Sequence, residues 1–155
     1  MIFFIFLFIF IGLIFRNVHL SPVLFFDWDE AMYAQIAEEI IRNKTLFTTF
    51  NGQIWLDKPP LVHSLIALVF ATVGQSEFWT RMIMVVISFA LLLLTYASAK
   101  KIFRIFSPKA TERETVMAGL IPTLLLAASP IFIERTALIN SDTLIAVSWI
   151  GYLLY

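Results

Sequence analysis

The chain has no cysteine and few charged residues. Among its 155 residues, the absence of cysteine excludes disulfide bonds and thiolate metal sites. Charged residues make up only 14%, whereas a soluble domain has about a quarter. The eleven basic and eleven acidic residues cancel, so no excess of positive charge supports a nucleic-acid partner.

Apolar residues are abundant instead. They make up 60% of the chain, sixteen of them are phenylalanine, and the mean hydropathy is +0.88. This composition is typical of an integral membrane protein. We predict an all-α membrane protein with spans at about 1–20, 81–99 and 115–133, and an incomplete span at 143–155.

The two ends of the chain lead to two further expectations. No basic segment precedes the apolar run Met1 to Phe15, and no small-x-small cleavage pattern follows it, which indicates an uncleaved first span. The closing stretch "SWIGYLLY" ends before the roughly 20 residues that a crossing needs. We therefore expect the N-terminal part of a larger multi-span module, inactive by itself.

The first loop, 21–80, contains two predicted surface helices. Within 28–43, apolar residues recur every four positions and polar residues take the other face, which predicts an amphipathic helix along the membrane surface. The segment 60–74 is about fifteen residues long, short for a span, and predicts a second surface helix. Between them, Asn51-Gly52 indicates a turn.

The basic residues predict the orientation. Five of them share one short loop with two glutamates: Lys100, Lys101, Arg104, Lys109 and Arg113. The positive-inside rule makes this loop cytoplasmic. If 60–74 does not cross, the N-terminus is also cytoplasmic. The first loop and the segment around Asp142 then meet at the outer face of the cell membrane.

The acidic stretch "DWDE" has two interpretations. Asp27 and Glu30 could form a capping box at a helix start. That interpretation leaves Asp29 unexplained. A carboxylate at the membrane surface could instead act as a general base that takes a proton from an attacking hydroxyl.

Four other residues also have two interpretations each. Asp57 could cap a helix that begins at the prolines, and Lys58 could extend toward headgroups or bind phosphate at that helix start. Arg81 could anchor a span or contact a phosphate. Ser141 or Asp142 could cap the last helix, although an ionisable residue at the edge of a span suggests function.

The order of these motifs is more specific than any one of them. A first span is followed by D-E-x-x-Y-x-x-I-A, then K-P-P-L, then G-x-S-E-F-x-x-R before a span, then an aspartate after the next outer loop. This order resembles the dolichyl-phosphate-mannose protein mannosyltransferase superfamily, glycosyltransferase family 39, with its RgtA/B/C/D-like and aminoarabinose transferase-like branches. The resemblance implies a GT-C fold.

The resemblance also implies an activity and a role for each matching residue. These enzymes move a sugar from a polyprenyl-phosphate donor to an acceptor hydroxyl on a lipid, glycan or protein at the outer membrane face. Asp29 matches the catalytic base, with Glu30 beside it. Lys58 matches the lysine that contacts the carrier phosphate, and Asp57 a candidate ligand of a divalent metal ion. Arg81 and Asp142 match further substrate-binding positions.

Two alternatives remain open on the sequence alone. A fragment of a multi-span transporter would also place charges at the ends of spans, although it predicts acids within them. A non-catalytic membrane subunit would leave the Asp-Glu, Lys-Pro-Pro and Arg motifs as coincidental caps.

Overall fold

A computed structural model describes residues 2–20, 28–136 and 138–154, and these residues are mostly helical. In chain order the elements are α1 (Ile2–Leu20), α2 (Trp28–Asn43), β1 (Thr49–Phe50), β2 (Gln53–Ile54), α3 (Leu61–Val73), α4 (Glu77–Phe106), α5 (Glu112–Ala127), α6 (Pro130–Arg135) and α7 (Asp142–Leu154). The predicted helical fold class is confirmed, and one small hairpin is added to it.

Two helices, α1 and α4, are long and apolar enough to cross a membrane. At 1.5 Å per residue, the 30 residues of α4 extend about 45 Å, more than the roughly 30 Å of a hydrocarbon core. The last turns of α4 can therefore extend beyond the hydrocarbon core of a membrane.

The helices α1 and α4 run antiparallel. The side-chain amide of Asn17 donates to the carbonyl of Phe78 at 3.2 Å, near the end of α1 and the start of α4. Toward the start of α1, the ring of Phe6 lies edge-on to Tyr96 at 5.6 Å. The segment between α1 and α4 therefore starts and finishes at the same end of this helix pair. The helix α3 within that segment does not extend along the full length of the pair.

The helices α2 and α3 pack against each other, and their bounds lie within a residue of the predicted 28–43 and 60–74. The apolar face of α2 is buried against that of α3. The core between them contains Tyr33, Ile36, Ile40, Val62, Ile66 and Phe70, with Met84 and Ile139 closing it. The hydrophobic pattern predicts the apolar face of α2 but not that α3 covers it.

The turn predicted at Asn51-Gly52 forms the β1–β2 hairpin. Both residues have positive φ, 53° and 76°, as a type I′ hairpin turn requires. The buried carboxylate of Glu39 on α2 accepts from the amide nitrogens of Asn51 at 2.8 Å and Gly52 at 3.3 Å, and from the Thr49 hydroxyl. Glu39 thus fixes the hairpin to α2, and the Thr49 bond leads the causes that lower the pKa of Glu39.

The predicted span at 115–133 is not one helix. The structure divides it into α5 and α6, with Ser129 in an extended conformation at φ −66° and ψ 129°. Pro130 is the physical reason: it lacks an N–H for the helical ladder, and its ring disfavours helical geometry at the preceding residue. The sequence analysis did not predict this break, and a membrane crossing by 115–133 stays a prediction.

The start of α7 is capped by a residue that the sequence analysis did not choose. The side-chain oxygen of Asn140 accepts from the backbone nitrogen of Thr143 at 3.0 Å and from its hydroxyl at 2.9 Å. The carbonyl of Ser141 accepts the first helical hydrogen bond, from the backbone nitrogen of Ile145 at 3.0 Å, so Ser141 is at the N-cap position, as predicted. The capping side chain, however, is that of Asn140, one residue earlier.

Candidate active site at the carboxylate end

Two ends of the helix assembly differ in charge. The end that contains Asp29, Glu30, Arg81 and Asp142 is called the carboxylate end below. The opposite end, where α4 presents Lys100, Lys101 and Arg104, is called the basic end. The helix α7 runs from the first to the second, because Lys101 donates to the carbonyl of Leu154 at 2.6 Å.

A buried ion pair stands at the base of the carboxylate end. Arg81 Nη2 lies 2.8 Å from Glu30 Oε2, and Arg81 Nε lies 3.2 Å from Glu30 Oε1. Both side chains are fully buried, at 0% exposure. This two-bond geometry is the strong form of the arginine–carboxylate interaction. Neither residue is on the surface that a substrate would reach first.

The same carboxylate also holds the segment before α7. Glu30 Oε1 accepts from the backbone nitrogen of Ile139 at 3.0 Å. Glu30 follows Asp29 directly, and Ile139 precedes Asp142 by three residues. The Glu30 contacts therefore join α2, α4 and the start of α7, and bring the two aspartates to one end of the molecule.

The charges of Asp29, Lys58 and Asp142 all act on the phenol of Tyr33. Burial raises the pKa of Tyr33, and the charges of Asp29 and Asp142 raise it further. A hydrogen bond with the Ser141 side chain and the cation of Lys58 act in the opposite direction. All three charged groups are thus within electrostatic reach of one hydroxyl. These are three of the six residues to which the resemblance assigns a role.

These three residues differ from the buried pair in their access to solvent. Asp142 is exposed, and Asp29 and Lys58 are partly exposed. Tyr33 beneath them is buried, at 1% exposure. The carboxylate end therefore has an accessible layer of two aspartates and a lysine over a buried layer of Tyr33, Glu30 and Arg81.

His63 belongs to the buried layer. Its ring lies edge-on to Tyr33 at 4.8 Å and to Trp55 at 5.1 Å. Burial lowers the pKa of His63 to about 4, although the nearby Pro59 carbonyl favours the charged form. Neither ring nitrogen has a hydrogen-bond partner in the described part of the chain. His63 is therefore a neutral aromatic support for Tyr33.

An apolar groove leads away from the charged layer. It has a volume of about 330 Å³ and lies between the start of α3 and one face of α7. Its wall on α7 begins at Ser141 and continues through Leu144, Ser148 and Tyr152 toward the basic end. Pro59, directly after Lys58, lines the opposite wall. A long apolar chain could lie in this groove with its polar head beside Lys58 and Asp142.

The donors around Asp57 do not fit a metal ion. Asp57 is exposed, and the described ranges contain no group of three or more histidine, aspartate or glutamate side chains placed to hold a metal. A metal site with a single carboxylate lacks the several oxygen ligands that divalent cations take. No step of the chemistry below depends on a metal at Asp57.

Two positions of interest fall outside the sequence-based choices. Tyr33 and Ser141 take part in the cluster, although the sequence analysis gave Tyr33 no role and treated Ser141 only as a cap. A signal was available for Tyr33, because it lies four residues after Asp29 on the same helical face. The predicted capping residue Asp27 lies outside the described residues.

No family model, curated protein or solved structure matches this chain. The likeness to family 39 glycosyltransferases therefore rests on the order of the motifs.

Proposed function

We propose that the protein is a GT-C type membrane glycosyltransferase that moves a sugar from a polyprenyl-phosphate donor to an acceptor hydroxyl at the outer membrane face. The N-terminus and the basic end are then cytoplasmic, and the carboxylate end is outside. The acceptor belongs to a lipid, a glycan or a protein. The observation that supports this proposal most is the set of Glu30 contacts, to Arg81 and to the backbone nitrogen of Ile139, which hold Asp29 and Asp142 at one end of the molecule.

Asp29 is the proposed general base. Its partly exposed carboxylate takes the proton from the acceptor hydroxyl as that oxygen attacks C1 of the sugar. The bond between C1 and the phosphate oxygen breaks, and the polyprenyl phosphate leaves with the bonding electrons. Asp29 suits this step better than Glu30, because Glu30 is fully buried and bonded to Arg81. Glu30 and Arg81 are then positioning residues rather than catalytic ones.

Lys58 is the proposed phosphate contact. Its ammonium group reduces the unfavourable charge on the departing phosphate, which carries more negative charge as the sugar leaves. Asp142, exposed at the start of α7, is the proposed acceptor of hydrogen bonds from hydroxyls of the sugar, since a carboxylate only accepts.

The apolar groove is the proposed site of the isoprenoid chain. Its walls are formed by side chains such as Leu61, Leu144 and Trp149, which offer hydrocarbon and aromatic contact. Pro59 lines the groove and directly follows Lys58, so a phosphate bound by Lys58 would lie close to this groove. A lipid-linked donor thus explains why the charged residues lie next to an apolar groove.

The experiment is a sugar-transfer assay on the full-length protein with Asp29→Asn. This change keeps the size of the side chain and removes its basicity. We expect transfer to fall by about 10²-fold or more, the typical contribution of a general base. Glu38→Gln is the matched control, because Glu38 is an exposed acid on the same helix. We expect that control to retain wild-type transfer and both variants to insert normally.

Unchanged transfer in Asp29→Asn would reject Asp29 as the base. A wild-type protein that inserts and folds but transfers no sugar from a polyprenyl-phosphate donor would reject the enzyme altogether. In that case, uptake or efflux of a solute that depends on Asp29 would support the transporter alternative.

A further inference from the structure

The basic end has a surface groove that the proposed sugar transfer does not use. It has a volume of about 590 Å³ and is lined entirely by residues of α4: Tyr96, Ala97, Lys100, Lys101, Arg104 and Ile105. Its floor is apolar or aromatic, and three cations surround it. We propose that this groove binds the headgroup of an anionic phospholipid in the membrane leaflet opposite the carboxylate end.

The spacing of charges along α4 places the groove at headgroup depth. Between Arg81 and Lys100, the eighteen residues 82–99 include no charged side chain. At 1.5 Å per residue they extend about 27 Å, close to the roughly 30 Å of a hydrocarbon core. With Arg81 near one boundary of that core, Lys100 lies near the other, and Lys101 and Arg104 follow it.

Within the described residues, the charge in the groove is only partly neutralised. Lys100 and Arg104 share one carboxylate, that of Glu112. Lys101 donates to a main-chain carbonyl, which brings no negative charge. Glu114, the next acid, caps its own helix by accepting from the backbone nitrogen of Thr111 at 2.7 Å. Three cations therefore face one carboxylate, and the Arg104 side chain remains 58% exposed.

The surroundings favour a lipid over a free anion. Ile102, Ile105 and Phe106 are exposed at 42%, 63% and 81% on the same last turns of α4. Exposed apolar residues beside cations are typical of a membrane interface, where acyl chains cover the former and headgroups the latter. Basic pockets at the cytoplasmic side of helical membrane proteins bind anionic headgroups by the same combination.

The test is a competition between two lipids that share their acyl chains and differ in the headgroup, one anionic and one zwitterionic. The purified protein in detergent is titrated with an equal mixture of dioleoyl phosphatidylglycerol and dioleoyl phosphatidylcholine, and native mass spectrometry counts the bound lipids. Since each interfacial cation contributes about 1 kcal/mol of attraction, we expect a preference for phosphatidylglycerol of about tenfold. Equal binding of the two lipids at low salt would overturn the proposal.

Two double variants locate the site. Lys101→Gln with Arg104→Gln removes two cations from the groove, and we expect the preference to fall to about twofold or less. Lys109→Gln with Arg113→Gln removes the same charge from the same end outside the groove, and we expect it to keep most of the wild-type preference. Equal losses in both variants would show diffuse attraction and would overturn the groove as the site.

Two further measurements use the wild-type protein, so they do not depend on whether a variant folds. Raising the salt from about 0.05 to about 0.5 M must reduce the wild-type preference, because the contact is electrostatic and the Debye length shortens. Inorganic phosphate at millimolar concentration must leave phosphatidylglycerol bound. A preference that is insensitive to salt, or displacement by phosphate alone, would reject a lipid headgroup as the ligand.

Discussion

At the residue scale, burial separates residues that look alike in the sequence. Asp29 and Glu30 are adjacent acids, and the motif order selected both as catalytic. The structure gives them different surroundings, since Asp29 is partly exposed and Glu30 is fully buried against Arg81. Sequence alone could not predict this difference, because it depends on how α4 and the segment before α7 close over α2.

The Glu30–Arg81 pair should be strongly coupled. Arg81→Met leaves the Glu30 carboxylate buried without this guanidinium, and we expect the free energy of unfolding to fall by about 3–5 kcal/mol. Glu30→Gln should be destabilising for the converse reason. The double variant should lose clearly less than the sum of the two single losses. Thermal denaturation in detergent provides the comparison, and strict additivity would show that the pair is not coupled.

His63 should make stability depend on pH. In the folded protein its pKa is about 4, below its usual value of 6.5, because it is buried. As the pH falls below 6.5, the unfolded chain therefore binds this proton first, and stability declines toward pH 4 by at most roughly 1 kcal/mol per pH unit. His63→Phe keeps the ring beside Tyr33 and removes the titration. As the pH is lowered between those values, the melting temperature of the wild type should fall relative to that of His63→Phe, and parallel curves would contradict the assignment.

At the element scale, local patterns predict what local physics determines. The helices α2 and α3 and the Asn51-Gly52 turn were all predictable, because amphipathic spacing and positive φ are properties of short segments. The Ser129-Pro130 break within 115–133 was missed because hydrophobicity was given more weight than the proline. Proline after an extended residue was the available signal, and it indicates the end of a helix even within an apolar run.

The packing of α5 on α4 depends on Gly119. A Cβ at that position would lie 2.7 Å from the Tyr96 ring and 2.8 Å from Cγ of Lys100, closer than atoms can approach. We expect Gly119→Ala to destabilise the protein by about 1–3 kcal/mol, the usual cost of overpacking. Gly151→Ala on α7 is the matched control, because a Cβ there meets nothing within 4 Å.

The control should melt at or slightly above the wild-type temperature, since alanine favours helix over glycine. Gly119→Ala with an unchanged melting temperature would mean that α4 and α5 do not approach as closely as described.

At the scale of the whole molecule, the antiparallel course of α1 and α4 decides which residues can meet. Because Asn17 near the end of α1 contacts the Phe78 carbonyl at the start of α4, the first loop begins and ends at the same end of the helix pair. Near that end the side chain of Arg16 donates to the Thr136 hydroxyl at 3.4 Å, so the chain after α6 is there as well. The sequence could predict this arrangement only by combining segment length with the positive-inside rule. The Tyr33 and Ser141 contacts depend on side-chain geometry that no such rule provides.

The most direct test of the account asks whether Asp29 and Asp142 face the same side of a membrane. Since the chain has no cysteine, single cysteines at Asp29, Asp142 and Lys109 can be labelled in sealed, oriented vesicles without background. With a membrane-impermeant maleimide, we predict that Asp29→Cys and Asp142→Cys react from the outer side and that Lys109→Cys reacts only after permeabilisation. Labelling of Asp142→Cys together with Lys109→Cys, and not with Asp29→Cys, would contradict a shared site.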